Sequence, residues 1–357
     1  MIKSRAAILK SIGDWHYDEI SIPDINSEEA IIKIISSGIC STDIVRSMET
    51  GFYSYPIVPG HEMLGYIYKL GKKIPNLKEG DKVCVYPLIN KCEDDQCCGH
   101  VHGSHGFGKY ANLCSTYDFL GSRSNGGYSE YVLSPIKNLV RVPTNLDDDL
   151  SIFTEPASVA LHALNIAKQD RKFDSVLILG LGPIGISIAA WCKFNKIENV
   201  IGVDRNLHRF DNFKKIGYSN IIDTNKQNIS ESIIKYADKN GVEIVFECSG
   251  SEELFNHGIQ SLKKSGKIII LSNQLKNVQL NTKSMNKILR EEIVIKGSWS
   301  SILEPFNEWE FTLETLKKGQ LNIKNLISHK FKFSDAPKLF KSLHKKELKY
   351  SKVLLTL

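Results

Sequence analysis

The sequence predicts an α/β fold, a doubly wound parallel sheet joined to a second, β-rich domain. Two observations carry this reading. After residue 155, apolar strands alternate with helical patterns, as right-handed βαβ units require. Before it, short strands are punctuated by Pro56, Pro59-Gly60, Gly71, Gly80 and Gly126-Gly127.

In order, strands are expected at 30–35, 63–68 and 82–86, then at 175–179, 199–203, 220–222, 244–247, 267–271 and 292–295. Helices are expected at 184–195 and 254–263. The tail reads as an amphipathic helix over 307–318, an extended segment over 327–333, a helix over 334–346 opened by a capping Ser334, and a closing strand over 352–357. Such a tail can pack back onto the first domain and make it discontinuous. The expected domains are therefore 1–155 with 297–357, and 156–296. No internal repeat or low-complexity linker interrupts them.

At 357 residues and 42% hydrophobic, the chain can bury two ordinary cores. Its 46 basic and 40 acidic residues leave a mild net charge of +6, spread out apart from small clusters such as Lys345-Lys346. That balance suits a solvated surface or an anionic substrate. It lacks the aromatic-interleaved basic motif of a nucleic-acid binder. The start has no apolar core or cleavage site of a signal peptide. The apolar stretch 176–192 is broken by three glycines and Pro183, so it reads as strand, turn and buried helix rather than a membrane span. The expectation is a cytoplasmic protein without nucleic-acid or membrane partners.

The run Gly180-Leu-Gly182-Pro183-Ile184-Gly185 follows a predicted strand and opens a predicted helix. Glycines there allow a tight turn and close backbone approach, and a pyrophosphate sits at the helix N-terminus. Asp204, 19 residues after Gly185, ends the next strand. A carboxylate there suits ribose hydroxyls and repels a 2′-phosphate, favouring NAD. The adjacent Arg205 keeps NADP open. Ser249, in Glu247-Cys248-Ser249-Gly250, falls where the crevice of such a Rossmann sheet should be.

A catalytic zinc needs three protein ligands and an open position. Cys40 offers a thiolate, His61 an imidazole and Glu155 a carboxylate, with Glu62 beside His61. Asp43 can accept the other ring N–H of His61, and Thr42 can carry a substrate proton away. A hydride carrier with a Lewis acid is equipment for interconverting an alcohol and a carbonyl.

Cys40-Ser-Thr-Asp43, Pro59-Gly60-His61-Glu62, Gly126-Gly127-Tyr128-Ser-Glu-Tyr131, Glu155-Pro156 and the glycine loop occur in one order. In this the chain resembles the medium-chain zinc-dependent alcohol and polyol dehydrogenases over essentially its whole length. Tyr117-Asp-Phe-Leu-Gly-Ser-Arg123 and Ile288-Leu-Arg290 with Gly297-Ser298-Trp299 resemble its sugar-phosphate branch. The resemblance implies a GroES-like catalytic domain, zinc on Cys40, His61 and a glutamate (Glu155 or Glu62), a proton relay starting at Thr42, and a homodimer or homotetramer. Its substrates would be a polyol, sugar or sugar phosphate. Tyr53, Phe119, Arg123, Trp299 and Arg46 are candidates for the substrate wall, and Arg123, Lys287 and Arg290 for a phosphate.

One departure concerns a second, structural zinc. The family spaces four cysteines C-x2-C-x2-C-x7-C, whereas Cys92, Cys97, Cys98 and Cys114 are spaced C-x4-C-C-x15-C. His100, His102 and His105 offer replacement ligands, and a rebuilt loop with free thiols is the other reading. Rival functions are a zinc-free NADPH-dependent quinone or enone reductase on the same fold, and a non-enzymatic NAD-binding protein.

Overall fold

A computed structural model describes residues 1–91, 111–169, 172–237, 239–273 and 277–357. Two compact units are found: Met1–Glu155 with Ile302–Lys318 and Ile327–Leu357, and Pro156–Ser301 with Gly319–Leu326.

The first unit begins with an antiparallel hairpin, Ile2–Ser11 against Asp14–Ile22. Its main sheet runs, edge to edge, Ile327–Lys332, Lys352–Thr356, Glu29–Gly38, Glu62–Leu70, Lys82–Val85 and Leu139–Arg141. Tyr131–Pro135 also pairs with Glu29–Gly38. Ile32, Ile34, Met63, Val83, Val85, Val353 and Leu355 pack with Phe340 and Leu343 into one core. The strand expected at 30–35 continues to Gly38. Polar Ser37 stays in the sheet because its hydroxyl donates to the Glu62 carbonyl at 2.9 Å. The C-terminal strand lies against it, Leu354 opposite Gly38.

The second unit is a six-stranded parallel sheet. Its order is Asn220–Asp223, Asn199–Asp204, Ser175–Leu179, Val242–Glu247, Leu262–Ile270, Val294–Gly297. Strand order therefore reverses between Ser175–Leu179 and Val242–Glu247, the switch point where such sheets bind ligands. Ser175–Leu179 is buried along its whole length, which explains why it reads as a pure apolar run.

Several expected boundaries shift, among them the strand expected at 267–271, which runs Leu262–Ile270. Ser334 caps nothing: a 3₁₀ turn spans Phe333–Asp335, Asp335 accepts the Lys332 N–H at 2.9 Å, and the helix runs Ala336–His344. Pro337, lacking an N–H, suits that first turn. The helix expected at 254–263 is Glu252–Gln260, started by Ser251, whose hydroxyl accepts the Leu254 N–H. The last strand of this sheet starts at Val294 rather than 292, since Glu292 has φ +52° and closes the helix Thr282–Glu291. Among the described residues no helix is long and apolar enough to cross a membrane.

Candidate active site

Cys40 leaves the strand Glu29–Gly38 in extended conformation and precedes the short helix Ser41–Val45. Three residues on, Asp43 turns back, its Oδ2 accepting the Cys40 N–H at 3.3 Å. Asp43 is 1% exposed, and its Oδ1 lies 3.3 Å from His61 Nδ1. The Tyr128 hydroxyl donates to Asp43 Oδ2 at 2.6 Å. Burial alone would raise the Asp43 carboxyl, but His61 and Tyr128 outweigh it and hold it below its usual range. With Nδ1 turned to Asp43, the Nε2 of His61 is the atom left for a metal.

Gly60, at φ +100°, makes the turn into His61; a Cβ there would sit 2.5 Å from the Tyr128 ring. Glu62 is buried behind His61 and pairs with the equally buried Lys352, whose ammonium also donates to the Ile39 carbonyl at 3.1 Å. Burial opposes the Lys352 charge, yet Glu62 and Cys40 raise it above the ordinary lysine range. Among the described residues, ligand atoms of Cys40, His61 and Glu62 all lie within 4.8 Å of one another.

Glu155, in the first turn of the helix Thr154–Lys168, is 8% exposed and outside that tight group. Burial first, then Glu62, raise its carboxyl to about 7 against the opposing pull of His61. It accepts no hydrogen bond from the described residues, whereas Glu62 has its own cation. The Thr42 hydroxyl donates to Cys40 Sγ at 3.1 Å. The Phe119 ring meets the His61 ring edge-on, centroids 5.7 Å apart. Thiolate, imidazole and carboxylate with a carboxylate behind the imidazole form a donor set that fits zinc.

Cys92, Cys97 and Cys98 lie outside the described residues, as do His100, His102 and His105. Cys114 is buried, its Sγ 3.5 Å from Thr116 Oγ1.

In the second unit Gly180 adopts φ +94°, and a Cβ on Gly185 would fall 2.0 Å from the Gly180 carbonyl oxygen. The helix Pro183–Phe194 starts there, with Gly182 as its N-cap, Pro183 first and Ile184 second. Asp204 is nearly saturated. Its Oδ1 accepts the Arg205 and Asn206 N–H groups at 2.7 and 2.9 Å. Its Oδ2 accepts Leu181 N–H at 2.8 Å and Arg209 Nη1 at 3.1 Å. A carboxylate offers about four acceptor sites. A further donor would reach Asp204 only by displacing one of these four, and Arg209 is the one on a flexible stem. Arg205 itself is exposed. Ser249 donates through both N–H and hydroxyl to Glu247 Oε1, at 2.8 and 2.5 Å, and Gly250 N–H donates there at 2.9 Å.

Sequence reasoning missed Lys352, Arg209 and the knotting role of Glu247. Arg209 had a local signal, a cation five residues beyond Asp204 in the first turn of the helix Leu207–Ile216. Lys352 had none. Of the other candidates, Lys287 is already paired with Glu291 at 2.7 Å, which argues against a phosphate role. Arg290 is exposed at the end of the helix Thr282–Glu291, and Trp299 is 39% exposed.

Two units, one with a zinc-type donor set and one with a dinucleotide loop, define a zinc-binding dehydrogenase. Residues 26–144 match the alcohol dehydrogenase GroES-like domain, and residues 183–318 match the zinc-binding dehydrogenase family. The chain belongs to the zinc-dependent medium-chain alcohol and polyol dehydrogenases, oxidoreductases acting on CH–OH groups. It is similar to galactitol 1-phosphate 5-dehydrogenase of Escherichia coli (strain K12), 27% identical over 318 residues, 88% of this chain and 89% of the relative. Sorbitol dehydrogenase of Halalkalibacterium halodurans is 30% identical over 362 residues, 99% of each chain. The crystal structure of galactitol-1-phosphate dehydrogenase from Escherichia coli matches with a TM-score of 0.88 at 26% identity, covering 99% of this chain and 100% of that one.

The buried acids give a pH dependence with a definite sign. Glu155, raised from 4.5 to about 7, holds a proton in the folded chain where the unfolded chain has lost it. Stability of the chelated protein therefore falls as pH rises through that window. His61 adds to the fall: burial would lower it, but Asp43 and Cys40 hold it well above 6.5. If these groups hold zinc, their deprotonated forms would be stabilised and this loss offset. The rise in melting temperature on adding zinc should grow from about pH 5 to about pH 8. A difference that stays flat or shrinks would refute the assignment of these groups to the metal.

Proposed function

We propose that this chain oxidises a secondary alcohol of a polyol or sugar phosphate to the ketone, reversibly, with NAD as the hydride carrier. The observation that carries this reading is the convergence of Cys40, His61 and Glu62, with Asp43 fixing His61 from behind. The relatives' names, galactitol 1-phosphate 5-dehydrogenase and sorbitol dehydrogenase, supply the substrate class.

Cys40 Sγ, His61 Nε2 and the Glu155 carboxylate are the ligands of this proposal. Glu155 is preferred to Glu62 because Lys352 already neutralises Glu62, whereas Glu155 is a buried acid awaiting a counter-charge. Zinc held there would polarise the substrate oxygen and make its hydroxyl more acidic. Thr42 Oγ1 accepts the substrate proton and releases its own, the one now donated to Cys40 Sγ, to solvent. Phe119 lines the wall beside His61. In the second unit, Gly180, Gly182 and Gly185 leave room for the pyrophosphate, and Asp204 receives the adenosine ribose once Arg209 turns aside. A zinc-free quinone or enone reductase would leave the Asp43–His61–Cys40 arrangement without a purpose.

Glu155→Gln tests the ligand assignment. Bound zinc, measured by elemental analysis, should fall, and kcat/KM for a polyol should drop by more than about 100-fold, the upper end for outer-shell changes. Full zinc content with undiminished turnover would exclude Glu155 as a ligand.

A further inference from the structure

Two arginines of the first unit converge on one aromatic ring. The guanidinium carbons of Arg46 and Arg123 lie 4.8 and 4.1 Å from the centroid of the Tyr53 ring. Arg46 donates to Ser122 Oγ at 3.1 Å and to the Tyr53 hydroxyl at 3.3 Å. Arg123 stacks on Tyr117, 4.5 Å from its centroid, and donates to its hydroxyl at 3.4 Å.

Neither arginine forms an ion pair with a carboxylate among the described residues. The acids nearest in sequence are committed elsewhere: Glu49 to His344 at 2.9 Å, Asp118 to Lys91 at 2.8 Å, and Asp43 to His61. Two stacked guanidinium forks with no carboxylate partner among the described residues, spread by tyrosine rings, suit a multidentate oxyanion.

Their position ties them to the reaction. The Arg46 N–H donates to the carbonyls of Thr42 and Asp43, so Arg46 stands one helical turn beyond Thr42. Side chains so spaced are about 5–6 Å apart at Cβ. The Arg123 N–H donates to the Phe119 carbonyl at 2.9 Å, one turn from the ring that meets His61. Both arginines are thus anchored within four residues of side chains at the Cys40–His61 site, Thr42 and Phe119.

We propose that Arg46 and Arg123, spaced by Tyr53, form the subsite for a terminal phosphate monoester of the substrate, with Ser122 and Tyr117 orienting the two forks. This rests on the polyol dehydrogenase reading and names its substrate as the phosphorylated form. Arg46, by hydrogen bond and then charge, outweighs burial and holds the Tyr53 phenol below its usual range.

The test compares the zinc-loaded wild type with Arg46→Met, Arg123→Met and the double variant, on a polyol and its phosphate ester. Each arginine lost should lower kcat/KM for the ester about 10- to 100-fold more than for the free polyol, as charged hydrogen bonds are worth. Arg123→Lys should recover part of the loss. Equal losses on both substrates, or a loss traced to a higher KM for NAD, would overturn the subsite. Calorimetric titration with glycerol 1-phosphate separates this claim from the functional reading. If neither polyol nor ester is turned over, the polyol substrate reading fails, and titration alone decides the subsite. Binding by wild type that the double variant loses supports it, while equal binding or none overturns it.

Discussion

Lys352→Met should destabilise the first unit by about 3–5 kcal/mol, the cost of stranding one charge of a buried ion pair. Lys352 and Glu62 are 1% and 2% exposed as side chains, so neither can turn to water. Gly38 makes the slot they share: a Cβ there would fall 2.0 Å from Glu62 Oε2 and 3.0 Å from Lys352 Cε. The ammonium also holds the Ile39 carbonyl, next to Cys40, so its loss frees the backbone that carries a proposed zinc ligand. Glu62→Gln with Lys352→Met removes both charges, and should recover most of the loss. Denaturant midpoints of the single and double variants decide it. A single variant as stable as wild type would mean that Glu62 finds another cation or takes up a proton without penalty.

That pair also marks the limit of what the chain reveals when read linearly. Glu62 and Lys352 are 290 residues apart and meet only because Lys352–Thr356 closes the sheet against Glu29–Gly38. No local pattern can announce such a contact. The glycine loop was legible because its chemistry is local: turn, helix start and strand all fall within 11 residues of Ser175. The proposed zinc ligands could be named from residue types and order, with Glu155 as the first-choice carboxylate. The physical ground for that choice could not, because it depends on which carboxylate already has a cation. The hairpin Ile2–Ser11 with Asp14–Ile22 was also missed. Only Trp15 and Ile22 of Asp14–Ile22 are buried, so polar His16, Asp18 and Glu19 blur the apolar alternation that marks a strand. At the other end, Ser36 and Ser37 hid the last turn of a strand whose hydrogen bonds, not its hydropathy, continue it.

Asp43→Asn should weaken zinc binding about 10- to 100-fold, the usual cost of losing an outer-shell partner of a ligating histidine. The carboxylate now receives three donors: Cys40 N–H, Tyr128 hydroxyl and His61 ring N–H. An amide of the same shape has one acceptor oxygen and a donor NH₂ in place of the second. If the oxygen serves His61, the NH₂ opposes the Cys40 N–H, and the Tyr128 hydroxyl must rotate to meet it. If the oxygen serves Cys40 and Tyr128, the NH₂ faces His61 Nδ1 and favours the tautomer that protonates Nε2, the atom needed by the metal. Either way a buried donor is opposed or the imidazole is turned to the wrong protonation state. Competition with a chromophoric chelator reads the affinity directly, independent of turnover. The same loss should appear at every pH above the range where His61 titrates, since the tautomer and not the charge of the ring is at fault. Zinc affinity equal to wild type would show that Cys40 and the glutamate hold the metal without help from an oriented imidazole.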